Sequence, residues 1–345
     1  MTRWAVILAG GVGSRFWPLS TPNRPKQLLP LVNDRSLLAN TLDRLSDLVP
    51  PDRILILTNA SLADAIGKAA PSIPPENIVA EPKPAGTAAA LTWAALLIEK
   101  RSSSDATMIC VHADWAIADD VGFRAALSNA ERVAREEQAL VTVGIVPTRP
   151  DPGFGYIEPG ALTESGARRV VRFVEKPDRV RAESMMHEGY LWNSGIFAWR
   201  VSDFLDEIRR LTPEVSTALS SHASNGLAEF FDSVVPVSVD VGVLERSDRV
   251  RVLPGDFGWD DVGTWGALRR VKPEDASGNV TSGEAFSLDA RGNVVHAEGG
   301  PVVLYGVSDL VVVSRNGMTL VTTTDLSSDL KRLVDSLPAQ LRDLA

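Results

Sequence analysis

The chain has 345 residues, 44% hydrophobic and 23% charged, which fits a folded globular protein with a large core and disfavours a disordered or membrane class. Lys and Arg number 35 against 44 Asp and Glu, a net charge of -9, so a nucleic-acid surface is disfavoured and any anionic ligand must be held by a local basic site. The single cysteine, Cys110, cannot form an internal disulfide, and the scattered His112, His187, His222 and His296 have no zinc-site spacing.

The N-terminus enters a short apolar stretch at Trp4 without the pattern of a secretory leader, and no apolar run reaches bilayer-spanning length, so the expected location is the cytoplasm. In chain order, Trp4 to Ala9, Arg53 to Thr58, Ala106 to Val111 and Leu140 to Val146 read as buried strands. Between them, residues 36–48 place Leu38, Leu42, Leu45 and Leu48 on one helical stripe, and residues 86–100 form an Ala- and Leu-rich helix with Trp93 on its apolar side. This alternation predicts an α/β fold, a Rossmann-like, mostly parallel sheet with helices on both faces and ligands at the carboxyl ends of the strands.

From about residue 151 the alternation loosens, with strand-like stretches at 167–174 and 195–199, and the segment reads as an insertion or lid that completes a pocket. Residues 280–324 are short β-prone pieces separated by Gly, Asn and Asp, followed by a helical stretch at 327–337. The division expected is therefore a catalytic domain over 1–268 and a small β domain over 269–345, with short stacked coils fitting its texture.

The strongest local signal follows the first strand: Leu8-Ala9-Gly10-Gly11-Val12-Gly13-Ser14-Arg15. Glycines there let main-chain N–H groups approach phosphate oxygens. The turn is neither a Walker A loop, which requires Gly-Lys-Ser/Thr, nor a dinucleotide fingerprint, whose third glycine is replaced by Phe16. Its continuation, Trp17-Pro18-Leu19-Ser20-Thr21-Pro22-Asn23-Arg24-Pro25-Lys26-Gln27, is stiffened by three prolines and carries Arg24 and Lys26 beyond Arg15.

This stretch resembles the signature of the sugar-1-phosphate nucleotidylyltransferases: Gly-Gly-x-Gly-Thr-Arg, then Pro-Leu, then Pro-Lys. The Trp17-Pro18-Leu19-Ser20 and Pro25-Lys26-Gln27 forms are most similar to the branch that transfers GMP from GTP to mannose 1-phosphate. Further matches follow in the family's order. They are Glu81-Pro82 with Thr87-Ala88, Pro147 to Pro150 with Gly153 to Ile157, Phe173 to Pro177, Trp192 to Phe197, and Gly258 to Trp265.

Nucleotidyl transfer brings two anions together, so a hard divalent cation on one or two carboxylates is needed. Asp114, just past a strand, and Asp261 are the candidate Mg2+ ligands, and the resemblance implies the same pair. On charge alone Asp260 would serve as well as Asp261; the family pattern chooses between them. Arg15 and Lys26 would offset charge on the leaving pyrophosphate, and an ionised sugar phosphate needs no general base. The resemblance implies nucleotide contacts from Leu8, Gly10, Gly11, Gly13, Ser14, Arg15, Lys26, Glu81, Gly86 and Thr87, and sugar-side contacts from Gly155, Tyr156, Glu175, Lys176 and Asn193. Glu81 suits the N1–H and N2–H2 edge of guanine. Singly, each residue has an ordinary role as a cap, surface charge or core aromatic; their agreement carries the reading.

The chain departs from the family pattern at Ala85-Gly86-Thr87-Ala88-Ala89, where relatives have Arg-Asn-Thr-Ala-Pro, and at His112-Ala113-Asp114-Trp115, where the flanking Pro and His are lost. Ser14 stands for Thr. Base and sugar therefore stay open to a heptose-1-phosphate guanylyltransferase or a thymidylyl- or uridylyltransferase acting on glucose 1-phosphate. A non-catalytic nucleotide-sugar-binding regulatory homologue is the alternative of another class, and retention of Arg15, Lys26, Asp114 and Asp261 together argues against it. The sequence stops before a fused isomerase domain, so a monofunctional enzyme is expected. The C-terminal segment resembles a short left-handed β-helix, which implies a homodimer.

Overall fold

The structure is a computed structural model that describes residues 2–11, 13–222 and 226–342, without the side chains of residues 220–222. Val12 of the glycine turn and the side chain of His222 lie outside the described residues. Nine strands form one sheet: β1 (Arg3–Leu8), β2 (Ile54–Asn59), β3 (Ile78–Glu81), β4 (Thr107–His112), β5 (Leu140–Ile145), β6 (Tyr156–Leu162), β7 (Arg168–Val174), β8 (Leu191–Arg200) and β9 (Val250–Gly255). Their order is β3-β2-β1-β4-β8-β5-β9-β7-β6, and only β7 and β8 run against the other seven.

Both faces are covered because successive strand residues point to opposite sides. Ala5, Ile7, Ile54 and Ile56 enter one core with Leu38 and Leu45 of α1 (Leu37–Ser46), Ile66 of α2 (Ala63–Ala69) and, further along, Phe123 and Leu127. Trp4, Val6, Leu55 and Leu57 enter the other, against α3 (Gly86–Arg101). α1 starts where the Ser36 hydroxyl accepts from the Ala39 N–H at 3.1 Å, an N-cap. α3 is buried around most of its surface, since α6 (Val201–Leu211), α7 (Pro213–His222) and α8 (Leu227–Ser233) lie over it; Trp93 stands half-buried with its ring 5.3 Å from Phe230. The helix carrying Phe123 and Leu127 is α4 (Asp120–Glu137), followed by α5 (Arg179–His187).

The segment after residue 151 is not an appended lid. Its strands complete the main sheet, and β8 sits between β4 and β5, antiparallel to both. The expected strand at 195–199 is half of β8, whose Trp192, Phe197 and Trp199 are buried.

After α9 (Leu268–Val271), the C-terminal unit winds through β10 (Val280–Ser282), β11 (Ala285–Leu288), β12 (Val294–Ala297), β13 (Val302–Tyr305), β14 (Leu310–Arg315) and β15 (Met318–Thr323). Parallel pairs β10/β12, β12/β14 and β11/β13 make it β-helix-like, and antiparallel β15 closes one ladder. Buried asparagines stitch the coils: Asn279 Oδ1 accepts from the Asn293 N–H at 3.0 Å, and Asn293 Oδ1 from the Leu310 N–H at 2.9 Å. Then come α10 (Leu330–Ser336) and α11 (Ala339–Arg342). One hydrophobic cluster joins this unit to the loop that follows the glycine turn, containing Phe16, Trp17, Leu19, Val262, Trp265, Val280, Val311 and Leu330. Among the described residues no helix is long and apolar enough to cross a membrane.

Candidate active site

The glycine turn leaves the carboxyl end of β1 with the carbonyls of Ala9, Gly10 and Gly13 already satisfied. Ala9 O accepts from Gln27 Nε2 at 2.7 Å and Thr58 Oγ1 at 3.1 Å, Gly10 O from Asn59 Nδ2 at 3.2 Å, and Gly13 O from Ser20 Oγ at 2.6 Å. Among the described residues no acceptor meets the N–H groups of Gly10, Gly11 and Gly13. Open space surrounds the points where a Cβ would stand on Gly10 and Gly11, leaving room for phosphate oxygens. Gly13 is required for a different reason: its φ is +72°, and a Cβ there would lie 2.3 Å from the Lys26 Cβ.

Lys26 is buried and joins the two predicted metal positions. Its Nζ donates to Asp114 Oδ2 at 2.9 Å and to the Asp261 carbonyl at 2.7 Å. Burial pushes the Asp114 carboxyl up, but Lys26 and His112 pull it further down, so its net position is below the usual value. Asp261 is pushed up to about 6 by burial and by the neighbouring Asp260 charge, against Lys26. Asp260 is already committed: Arg270 donates to it at 2.5 and 3.0 Å, and it caps the Val262 N–H at 2.8 Å. Among the described residues no donor reaches the Asp261 carboxylate. A half-buried carboxylate that accepts no hydrogen bond among the described residues, beside a second carboxylate, is a donor set that fits a hard cation.

Three clefts meet at His112. The first, about 400 Å3, is walled by Leu8, Gly10, Gly11, Glu81, Gly86, Thr87 and Asp114. The second, about 240 Å3, is walled by Gly155, Glu175, Lys176, Asn193, Asp240 and Asp261. The third, about 520 Å3, is walled by Gly13, Ser14, Arg15, Lys26, Asp114 and Asp261 on one side. All the predicted site residues but Tyr156 thus line connected space. Tyr156 is buried in the core beneath, and its hydroxyl bonds the backbone N–H and carbonyl of Asp151 at 3.0 and 3.1 Å; it shapes the loop instead of facing ligand.

Glu81 closes the far end of the first cleft, and burial pushes its carboxyl up to about 7. The departure at Ala85-Gly86 has a packing cause: Gly86 has φ +81°, and a Cβ there would lie 2.2 Å from the Val237 carbonyl oxygen. The Thr87 hydroxyl accepts from the Val239 N–H at 2.9 Å, pinning the segment that brings Asp240 to the second cleft. There Asn193 Nδ2 donates to Asp240 Oδ1 at 2.8 Å, and burial, then the Glu175 charge, push Asp240 up to about 6. Lys176 Nζ pairs with Glu175 at 2.8 Å. Gly155 is tight: a Cβ would lie 2.8 Å from both Glu175 Oε2 and the Phe173 ring.

Asp240 and His112 are not among the site residues that the sequence predicts. Asp240 belongs to no motif, and 47 residues separate it from Asn193. His112 ends β4 with its ring 4.9 Å from Trp115, the buried residue that replaces the family's His. Burial lowers the His112 pKa, so the ring is neutral at pH 7.

The nucleotidyl transferase family model matches residues 4–278, and the MannoseP isomerase/GMP-like beta-helix domain matches residues 283–337. The mannose-1-phosphate guanylyltransferase of Salmonella typhimurium is 36% identical over 96% of this chain and 72% of that protein. The mannose-1-phosphate guanylyltransferase of Escherichia coli K12 is 36% identical over 98% of this chain and 74% of its own length. A Thermus thermophilus crystal structure described as mannose-1-phosphate geranyltransferase superposes with a TM-score of 0.91 at 36% identity, covering 97% of this chain and 99% of that one.

Proposed function

We propose that this chain, which belongs to the nucleotidyl transferase family, transfers GMP from GTP to mannose 1-phosphate, forming GDP-mannose and pyrophosphate. The observation that carries the reading is Lys26, whose ammonium joins Asp114 and Asp261 where the three clefts meet. A phosphate oxygen of the sugar attacks the α-phosphorus, and the bond to the bridging oxygen of the β-phosphate breaks. The nucleophile is already ionised, so the neutral His112 need accept no proton. Arg15, Lys26 and the free N–H groups of the glycine turn offset charge on the leaving pyrophosphate.

Mg2+ is the proposed cofactor, held by Asp114 and Asp261. When bound it reduces the repulsion between the two reacting phosphates. Glu175, Asn193 and Asp240 suit the sugar hydroxyls, and Lys176 suits the sugar phosphate. A panel pairing GTP, ATP, UTP and dTTP with mannose, glucose and heptose 1-phosphates, read by pyrophosphate release, tests the substrates. GTP with mannose 1-phosphate should dominate; dominance of another pair replaces the assignment, and no turnover with any pair leaves only a binding role.

Glu81 would accept hydrogen bonds from guanine N1–H and N2–H2 only when ionised. kcat/KM for GTP should therefore rise with pH through about 7 in the free enzyme, as the raised Glu81 carboxyl loses its proton. In Glu81→Gln that limb should disappear while kcat/KM for mannose 1-phosphate at saturating GTP changes less. A pH profile identical in the two proteins removes Glu81 from base recognition.

We place the unit boundary at 268/269 and propose the cytoplasm as the location. A homodimer is proposed through the outer face of β11 and β13, where Phe286, Leu288, Val303 and Tyr305 stand exposed in paired rows. The solution mass measured by light scattering checks it.

A further inference from the structure

We propose that Lys331, in the C-terminal β-helix-like unit, binds the β- and γ-phosphates of the nucleotide and so the departing pyrophosphate. The inference rests on the nucleotidyl-transfer reading above. The third cleft has two walls from distant parts of the chain. The glycine turn with Arg15 and Lys26 faces Ser328, Asp329 and Lys331, which close it from the other side.

That second wall is fixed in place. Leu330, next to Lys331, is only 2% exposed and shares a core cluster with Phe16, Trp17 and Trp265. The start of α10 is therefore packed onto the turn that carries Arg15. One hydrogen bond ties the same unit to the stretch after that turn: Arg315 Nη1 donates to the Leu19 carbonyl at 3.2 Å. A cation anchored one residue from such a contact is held near its target at reduced entropic cost.

The cations of the cleft single it out. Arg15, Lys26 and Lys331 line it, and Lys26 is already paired with Asp114. Among the described residues Arg15 and Lys331 form no ion pair, and both line the cleft. A triphosphate tail brings more negative charge than Arg15 alone can offset in a protein of net charge -9. With Asp329 on the same wall, the mixed charge suits a metal-complexed pyrophosphate better than the bare anion.

Calorimetry of magnesium pyrophosphate binding to the full chain tests this without assuming a base or sugar. Lys331→Ala should weaken binding about tenfold, the loss of one charge-assisted contact, and Lys331→Arg should recover most of it. Neither should alter mannose 1-phosphate binding or the unfolding temperature. In pyrophosphorolysis of GDP-mannose, Lys331→Ala should raise KM for pyrophosphate and leave KM for GDP-mannose unchanged. Wild-type affinity in both Lys331→Ala and Lys331→Gln overturns the proposal. A wild type that binds pyrophosphate through Lys331 yet does not turn over GDP-mannose upholds it and refutes the substrate assignment instead.

Discussion

Asp261→Asn is expected to lower kcat by about a thousandfold or more, since metal-borne charge stabilisation amounts to several kcal/mol. The substitution conserves volume and removes one unit of charge from a carboxylate that no donor among the described residues satisfies. Its fold should be intact, and the metal-free variant should unfold at or above the wild-type temperature at about pH 7.5. The sign follows from the direction of the shift. A carboxyl raised from about 4 in the unfolded chain to about 6 in the folded one carries no penalty below the first value and its full penalty above the second. Asparagine removes that penalty, so any gain appears as pH rises through this window. Asp260→Asn should behave oppositely: it breaks the Arg270 pair and weakens the Val262 cap, lowering stability more than it slows turnover. Near-full activity of Asp261→Asn with Mg2+ as the only metal would remove Asp261 from the site.

Lys26→Ala carries the second large effect. The ammonium is buried, and it is the shared partner of the Asp114 carboxylate and the Asp261 carbonyl. If it also offsets charge as the pyrophosphate leaves, kcat should fall by about 10²- to 10³-fold, as when one pre-placed donor to a developing charge is deleted. An effect on KM alone would make Lys26 a binding group only. The same change leaves Asp114 without its cation and should cost about 1–3 kcal/mol of stability, less than for a fully buried pair because the Asp114 side chain is a third exposed and solvent screens part of the loss. Lys26→Met keeps most of the stem that packs against Gly13, so comparing its turnover with that of the alanine variant separates the charge from the packing.

Local pattern discloses the site where chemistry and chain direction coincide. The glycine turn beyond β1 and Asp114 beyond β4 sit at the carboxyl ends of parallel strands, where periodicity directs attention, and Lys26 follows in the proline-stiffened continuation of the turn. Tyr156 is misplaced by its motif because a motif says nothing of which way a strand residue points. Gly155 faces Glu175, and the next side chain turns to the opposite side of the sheet and into the core. Asp260 and Asp261 are indistinguishable by charge, and only the position of Arg270 commits the first to structure.

Long-range pairing hides the rest. β8 reads as a short stretch at 195–199 because its partners β4 and β5 decide where it lies, and neither is its neighbour in sequence. Asp240 reaches the second cleft through contacts of the 237–239 segment with Gly86 and Thr87, half a domain away. Lys331 reads as part of a separate β unit, yet the shared core around Phe16 and Leu330 turns α10 of that unit toward the loop that carries Arg15. Hydrophobic periodicity marks each element's buried face without naming what covers it.

The central claim is that Asp114 and Asp261 hold one cation against a triphosphate cradled by the glycine turn. Crystals grown with Mn2+ and a non-hydrolysable GTP analogue, measured at the manganese absorption edge, test it most directly. The account predicts an anomalous peak coordinated by both carboxylates and by a phosphate oxygen, with the β- and γ-phosphates over Gly10 to Arg15. Manganese bound elsewhere, or a triphosphate lying away from that turn, would contradict it.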